Sequence, residues 1–315
     1  MQDLLDNGQY KPNRTGTGTY ASVGHMLKYD LAAGFPAITT KKLAFKSVVG
    51  ELLGFFRAYD NAEQFRALGC KVWDQNANET PTWVNNPERR GTDDLGRIYG
   101  VNWVKMRSYR EARTAAELVR AQAKGYQVVG QLTPLADGSP RGTILFKEVN
   151  QLEDALRTLI TDPFNRRIRI TGWKPDELDL MALPACHCEY QFVTTVDKVL
   201  HATLTLRSSD VFLGLGFNIS SFAVFTSIMA RLAGLKPGVC TVFIVDGHIY
   251  ENHIEAVKEQ LTRSHFAAPG LMLSDRIKKI ENLDDIAGVF ERIEPGDIAL
   301  DGYQSHAAIK AAMAV

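Results

Sequence analysis

RRIRITGW from Arg166, CEYQFVTTV from Cys188 and VLHATLTLRSSD from Val199 decide the fold. In the last run Ala202, Leu204 and Leu206 alternate with polar neighbours, the period of two expected of a strand with one buried face. Helical patterns surround these strands. Residues 42–57 place Val48, Val49, Leu52, Leu53 and Phe56 at helical spacing, with the carboxylate of Glu51 set among them. A further helix is expected at about 109–124. Another at 150–159 carries Leu152, Ala155, Leu156 and Leu159 on one face and stops at Asp162-Pro163. A helix over 218–233, a strand near 241–246 and a helix after His253 complete the pattern. Strands grouped in the second half with helices against them predict an α+β fold, a single domain around one mixed, largely antiparallel sheet.

Two stretches lack a period. NANETPTWVNNPERRGTDD, residues 76–94, is rich in Asn, Pro, Gly and charge and reads as a surface excursion. Residues 125–141, running into ADGSPRG, read as a second insertion or a hairpin. The two insertions are expected to span about 77–94 and 125–147.

The 315 residues carry 36 Lys plus Arg against 36 Asp plus Glu. Zero net charge argues against a non-specific nucleic-acid binder and against attachment to membranes by a basic surface. No stretch approaches the roughly 20 consecutive apolar residues of a membrane span. The polar start of the chain lacks the apolar core of a signal peptide. The expectation is a soluble, cytoplasmic protein with no membrane and no required nucleic acid. Four cysteines, Cys70, Cys186, Cys188 and Cys240, are too few and too scattered for a disulfide framework.

Leu183-Pro184-Ala185-Cys186-His187-Cys188 sets a thiol beside a rigid proline turn at a strand start. No CxxC or HExxH partner accompanies it, so no metal is expected. Cys186 is either a buried small hydrophobe or a nucleophile, and a nucleophile needs cationic neighbours to hold the thiolate. Arg14, before a glycine-rich turn, the pair Arg166-Arg167, and Arg207-Ser208 are candidates for that cluster or for a phosphate. Each alone reads more readily as a solvated surface group, and it is their coexistence with the cysteine that favours a site. Asn218, after the glycine-punctuated VFLGLGF, is either a helix cap or an amide that matches the donor and acceptor edge of an imide base. His248 and Tyr250 stand two apart on one strand face, as a core pair or as ligand contacts.

Ten ordered segments together resemble the thymidylate synthase family over essentially the whole chain outside the two insertions. They are RTGTGT at Arg14, FPAITTKK ending at Lys42, ELLGFFRAYDNA from Glu51, VWDQNANE around Trp73 and DDLGRIYGVNW with Tyr99. RRIRITGW at Arg166, DELDLMALPACH ending at His187, LRSSDVFLGLGFNI with Asn218, DGHIYENH with His248 and the final IKAAMAV complete the set. The resemblance implies reductive methylation of dUMP to dTMP with methylenetetrahydrofolate as one-carbon and hydride donor, giving dihydrofolate. Cys186 would add to ring carbon 6 of dUMP. Glu51 would run the proton transfers with water, Tyr99 would assist removal of the carbon 5 proton, and His187 would support the water network. Arg14, Arg207 and Ser208 would hold the phosphate, joined by Arg166 and Arg167 of the second copy in a homodimer formed through the sheet face. Asn218 would read the uracil, and His248 and Tyr250 the ribose. Trp73, Leu183, Leu213, Gly214 and Phe217 would wall the folate, Asp210 and Tyr250 would serve both ligands, and Ala314 with Val315 would close over them.

The chain departs from the family pattern at Leu206, Gly216, Asn76 and Ala44, where Gln, Pro, Trp and His are common; a looser loop is expected at Gly216. Asn218 favours uracil, since related dCMP hydroxymethylases place an acid there. A dUMP hydroxymethylase of the same fold, a nucleotide or RNA binder without turnover, and a papain-like cysteine hydrolase are the alternative readings.

Overall fold

The computed structural model describes residues 1–13, 16–134, 136, 138 and 141–312. From the N-terminus the chain forms α1 (Gln2–Asn7), β1 (Gln9–Lys11) and the long strand β2 (Thr19–Asp30). Next come α2 (Phe45–Phe56), α3 (Ala62–Ala67), α4 (Asp74–Asn78), α5 (Pro81–Val84) and α6 (Tyr99–Val104). A strand-rich segment follows: β3 (Met106–Ala112), α7 (Ala115–Gln122), β4 (Gln127–Gln131) and β5 (Thr143–Val149). Then α8 (Gln151–Thr161), β6 (Arg169–Thr171), β7 (His187–Thr194), β8 (Val199–Asp210), α9 (Leu215–Ala233) and β9 (Lys236–Tyr250) build the centre. The chain ends with α10 (Ile254–Leu261), β10 (Gly270–Leu273) and β11 (Ile298–Asp301).

The main sheet has the order β1-β2-β9-β8-β7-β6. Its neighbours are antiparallel except β8 and β9. A parallel pair cannot be closed by a tight turn, and α9 supplies the crossover. The expected α+β fold with a mixed, largely antiparallel sheet is therefore what the chain adopts. Along β8 the alternation read from sequence holds: Leu200, Ala202, Leu204 and Leu206 are buried, and residues between them are half-buried. Leu206 points into this core and is fully buried.

The helix α9 is apolar nearly all round because it lies inside the protein. Among the described residues it is the one helix long and apolar enough to cross a membrane, yet most of it is buried within the fold. Three of its hydroxyls are satisfied by the preceding turn: Ser220 Oγ donates to the Gly216 carbonyl at 2.9 Å, Thr226 Oγ1 to that of Phe222 at 2.9 Å and Ser227 Oγ to that of Ala223 at 2.8 Å. Gly234, at φ 71°, closes the helix in the left-handed conformation. Against α9 packs α2, whose buried face includes Val48, Val49, Leu52, Leu53 and Phe56 as expected. The helix α6 comes so close to α2 that a Cβ on Gly100 would lie 2.3 Å from the Phe55 Cα. Only glycine permits that approach, which seats Tyr99 flat against Phe55 at 5.0 Å between ring centroids.

Two expectations need correcting. The helix expected at 109–124 is the end of β3 followed by α7. Thr114 and Glu117 form a capping box that starts the helix at Ala115, which leaves 106–112 free to pair with β5. The segment 125–141 carries β4, which pairs antiparallel with β5 as the hairpin alternative expects, and β3, β5 and β4 make a separate three-stranded sheet over a small core of Ala112, Ala121, Tyr126 and Leu145. The stretch 76–94 is no simple surface excursion. It contributes α5 and the fully buried Trp83, whose indole donates to the Asp94 carbonyl at 2.7 Å. Arg66 fastens it by pairing with Asp74 at 2.9 Å and Asp93 at 2.6 Å.

Candidate active site

The nucleophile candidate sits in the loop that enters β7, where both backbone groups of Cys186 and the two carbonyls before it are held. The Arg207 guanidinium donates through Nε to the Ala185 carbonyl at 3.0 Å and through Nη2 to that of Pro184 at 2.8 Å. Its backbone N–H bonds the Cys186 carbonyl at 3.1 Å. The Cys186 N–H in turn donates to the Tyr99 hydroxyl at 2.8 Å. Four bonds thus fix the direction in which the half-buried Cys186 points, and one cation supplies two of them.

The Tyr99 ring meets Trp73 edge-on at 5.4 Å and His187 at 5.3 Å. Burial, with Cys186 as the next contributor, pushes the phenol well above its ordinary range, so Tyr99 keeps its proton. On α2, Glu51 accepts the Trp73 indole N–H at 3.0 Å. It is buried, and desolvation pushes its carboxyl up to about 8 despite that hydrogen bond. A carboxyl in that range both holds and releases a proton near neutrality. His187 is buried and pushed down to about 4, so it is a neutral imidazole. Its Nδ1 lies 2.9 Å from the Tyr190 hydroxyl, and its Nε2 meets the Asn218 amide nitrogen.

That last contact corrects the helix-cap reading of Asn218. The helix begins at Leu215 with Gly214 as its cap, so Asn218 lies within the first turn and turns its side chain to His187. With the amide nitrogen donating to Nε2, the imidazole proton sits on Nδ1. One amide hydrogen and the Oδ1 of Asn218 remain for a ligand, the donor and acceptor pair that an imide edge requires. Gly216 is likewise inside α9, not in a loop. A Cβ there would meet Ile38 at an ordinary 3.6 Å.

At the end of β8, Asp210 Oδ1 accepts the backbone N–H groups of Phe212 and Leu213 at 2.9 and 3.1 Å. Its Oδ2 makes no hydrogen bond to a described residue. Lys41 donates to the Phe212 carbonyl and lies 3.7 Å over the Phe212 ring, and burial brings its ammonium down to about 8. Leu183, Leu213, Gly214 and Phe217 are all half-buried around this end of the sheet. On β9, His248 and Tyr250 lie edge to face at 5.2 Å. His248 Nδ1 meets Asp246 Oδ1 at 3.1 Å, while Lys11 pairs with the other oxygen of that carboxylate. Burial opposes ionisation of Asp246, but Lys11 and His248 outweigh it and the carboxyl is held below its ordinary value.

The structure therefore brings together Cys186, Glu51, Tyr99, His187, Asn218 and Trp73, with Arg207, Ser208, Asp210, His248 and Tyr250 along the same ends of β8 and β9. It does not bring Arg166 and Arg167 to them within one chain. Both are exposed in the turn before β6, two strands from β8, and their side chains bond no described residue. Arg14 and Ala314 lie outside the described residues. Sequence reasoning missed Asp246, which shares the strand period of His248, and Lys41 in the TTKK run. Among the described residues no group of three or more His, Cys, Asp or Glu is placed to hold a metal.

The family model described as thymidylate synthase matches residues 1–315. The chain belongs to the thymidylate synthase family. It is 45% identical to the thymidylate synthase of Bordetella parapertussis over 323 aligned positions, covering 100% of this chain and 98% of that protein. The thymidylate synthase of Pseudomonas putida is 44% identical, covering 100% and 98%. That of Pseudomonas syringae pv. tomato is 43% identical, covering 99% and 97%. Such end-to-end similarity leaves no part of the chain outside the family's span.

Proposed function

We propose that this chain carries out the reductive methylation of dUMP to dTMP, with methylenetetrahydrofolate as co-substrate and dihydrofolate as second product. It is a folate-dependent methyltransferase. The observation that carries the residue assignment is the four-bond clamp around Cys186, set against a carboxyl poised near neutrality and a neutral His187–Asn218 pair.

Cys186 attacks carbon 6 of the uracil, and Arg207 aims the loop that carries it. Asn218 donates to one ring carbonyl and accepts the imide N–H, so an aminopyrimidine edge is a mismatch. Tyr99, protonated and hydrogen-bonded at Cys186, stands beside the reacting carbons to assist proton removal from carbon 5. Glu51 holds and returns protons through water, for which its raised range suits it. His248, fixed in tautomer by Asp246, and Tyr250 take the ribose hydroxyl. Arg14, Arg207 and Ser208 take the phosphate.

Asp210 fits a folate, because one of its oxygens is anchored by the backbone and the other is open to an N–H donor. Trp73, Leu183, Leu213, Gly214 and Phe217 supply an apolar wall, with Tyr250 and Ala314 completing the enclosure. When bound there, the folate supplies the one-carbon unit and the hydride.

The assembly is a homodimer through the outer sheet face. Met26 and Phe243 are paired across β2 and β9, Val245 stands two positions along on the same face, and all three are exposed in one chain at 56, 40 and 50%. Such a face is unusual for a monomer. Burying it offers Arg166 and Arg167, otherwise unengaged, to the partner's phosphate site. One catalytic domain spans 1–315, with insertions at about 77–94 and 125–147.

The test mixes purified protein with dUMP and methylenetetrahydrofolate, follows dihydrofolate absorbance and identifies the nucleotide by mass. Dihydrofolate appearing one for one with dTMP supports the reading. Hydroxymethyl-dUMP without dihydrofolate, or no product, overturns it.

A further inference from the structure

The segments that carry Tyr99 and Cys186 meet a second time, away from the Tyr99 hydroxyl. Gly96 and Met181 form an isolated antiparallel bridge, in which the Arg97 N–H donates to the Leu180 carbonyl at 2.8 Å and the Ala182 N–H to that of Leu95 at 3.0 Å. The backbones are pressed so close that a Cβ on Gly96 would lie 2.1 Å from the Leu180 oxygen, and Gly96 takes a φ of 65°. Two backbone bonds at one point fix a distance. They leave the angle between the segments free.

Beside the bridge sits an ion pair held out of water. Arg97 Nε donates to Glu177 Oε2 at 2.5 Å, and the two side chains are 12 and 5% exposed. Glu177 belongs to the short 3₁₀ helix Pro175–Leu180, which runs into the Cys186 loop. The same guanidinium reaches along α6 to its far end. Its Nη2 donates to the Lys105 carbonyl at 2.7 Å, one of the groups that a helix end leaves unsatisfied, and lies 3.3 Å from Asn102 Oδ1. Arg97 thus grips both ends of the helix that Tyr99 opens. The other oxygen of Glu177 faces Lys174 and Arg107, each at 3.9 Å, and Arg107 stands on β3 of the small sheet. Desolvation offsets most of what a buried ion pair adds to stability. A planar fork with acceptors on two segments fixes their orientation instead.

We propose that Glu177 is a positioning residue: through Arg97 it locks the angle between α6 and the nucleophile loop, and so sets the Tyr99 hydroxyl against the Cys186 N–H. The inference rests on the reading of Cys186 and Tyr99 as catalytic groups. Glu177 itself contacts no ligand, and its effect passes through the bond between those two residues.

The test is a double-mutant cycle in the full-length protein, Glu177→Gln with and without Tyr99→Phe, and Arg97→Lys run in the same way. Gln keeps the length of the side chain and loses the charge. Lys keeps the charge and cannot reach Glu177 and the Lys105 carbonyl together. Two readouts are taken: amide hydrogen exchange without ligands in the peptide holding Ala182 and Cys186, with a β8 peptide as control, and kcat against KM for dUMP. In both variants the Ala182 and Cys186 amides are expected to exchange about tenfold faster with β8 unchanged. The kcat falls about tenfold while KM for dUMP stays within about twofold. On the Tyr99→Phe background, where the bond to Cys186 is already gone, the same substitutions lower kcat by less than about twofold. Equal losses on both backgrounds, faster exchange in β8 as well, or a loss confined to KM overturns the positioning role. Arg97→Lys retains the ion pair, so it decides the question should Glu177→Gln fail to fold. Amide exchange needs no turnover, and a parent that makes no dTMP therefore defeats the functional reading while leaving the joint measurable.

Discussion

Replacing Glu51 by Gln is expected to stabilise the folded chain at neutral pH while removing turnover. The substitution keeps the shape of the side chain, and the amide Oε1 still accepts the Trp73 indole N–H. What it removes is ionisation. Below pH 4.5 the carboxyl is protonated in both folded and unfolded chains, and Gln changes little. Above pH 4.5 the unfolded chain releases the proton, whereas the folded chain retains it up to about 8. Folding must then take up a proton, so the contribution of Glu51 to stability, fully present at low pH, is lost as pH rises toward that value. The loss runs at about 1.4 kcal/mol per pH unit. Gln carries no such penalty, so the variant gains about 3 kcal/mol at neutral pH and levels off beyond the folded-state value. Urea unfolding at fixed protein concentration, at about pH 5 and about pH 7.5, reads the difference directly. A gain that grows between the two confirms a carboxyl held protonated by burial. An equal gain at both would mean that Glu51 is ionised in the folded chain, and its role as a proton store would fall.

Arg207→Lys replaces a forked donor with a point charge, so one of the two carbonyl bonds is lost. At about 1.5–3 kcal/mol for a charge-assisted bond, kcat drops roughly tenfold to a hundredfold, and a kcat within twofold of the parent removes the clamp argument. Asp246→Ala frees the His248 ring. The KM for dUMP rises about fivefold with kcat little changed, and equal losses in both would show that Asp246 serves the chemistry instead. Gly216→Ala places a methyl in ordinary contact with Ile38 in a helical turn; it raises stability by about 0.5–1 kcal/mol by chemical denaturation, whereas a destabilised variant would show that the first turn of α9 needs the glycine.

The elements legible in the sequence are those whose period is set by a single continuous core. The α2 and α8 stripes and the β8 alternation face that core directly, and their boundaries shift by only a few residues. The strand β2 gave no such signal. Gly24 interrupts it and most of its side chains are half-exposed, so its order comes from the ladder with β9, which lies more than two hundred residues later in the chain. The same distance hides the ends of β9, where Lys236-Pro237-Gly238 and Asp246-Gly247 look like turns but are held by strands on both sides. Reading β3 as helix has the same origin, since its partner β5 is far along the chain.

At the site, residue type was legible and pairing was not. A thiol beside a proline turn and an Arg-Ser pair at a strand end were visible as candidates. That Arg207 grips the two carbonyls before Cys186 follows only once β7 and β8 are neighbours. Asn218 illustrates the cost of local reasoning: its position after glycines suggested a cap, and its partner across the fold, His187, decided otherwise. Glu51 shows the reverse, because a carboxylate inside an apolar stripe is anomalous from sequence alone, and burial with one indole donor makes that anomaly chemically useful. Glu177 combines both lessons. Nothing in DEL marks its carboxylate, and its partner Arg97 lies far earlier in the chain. A buried ion pair acquires meaning only from the two segments that the fold makes it join.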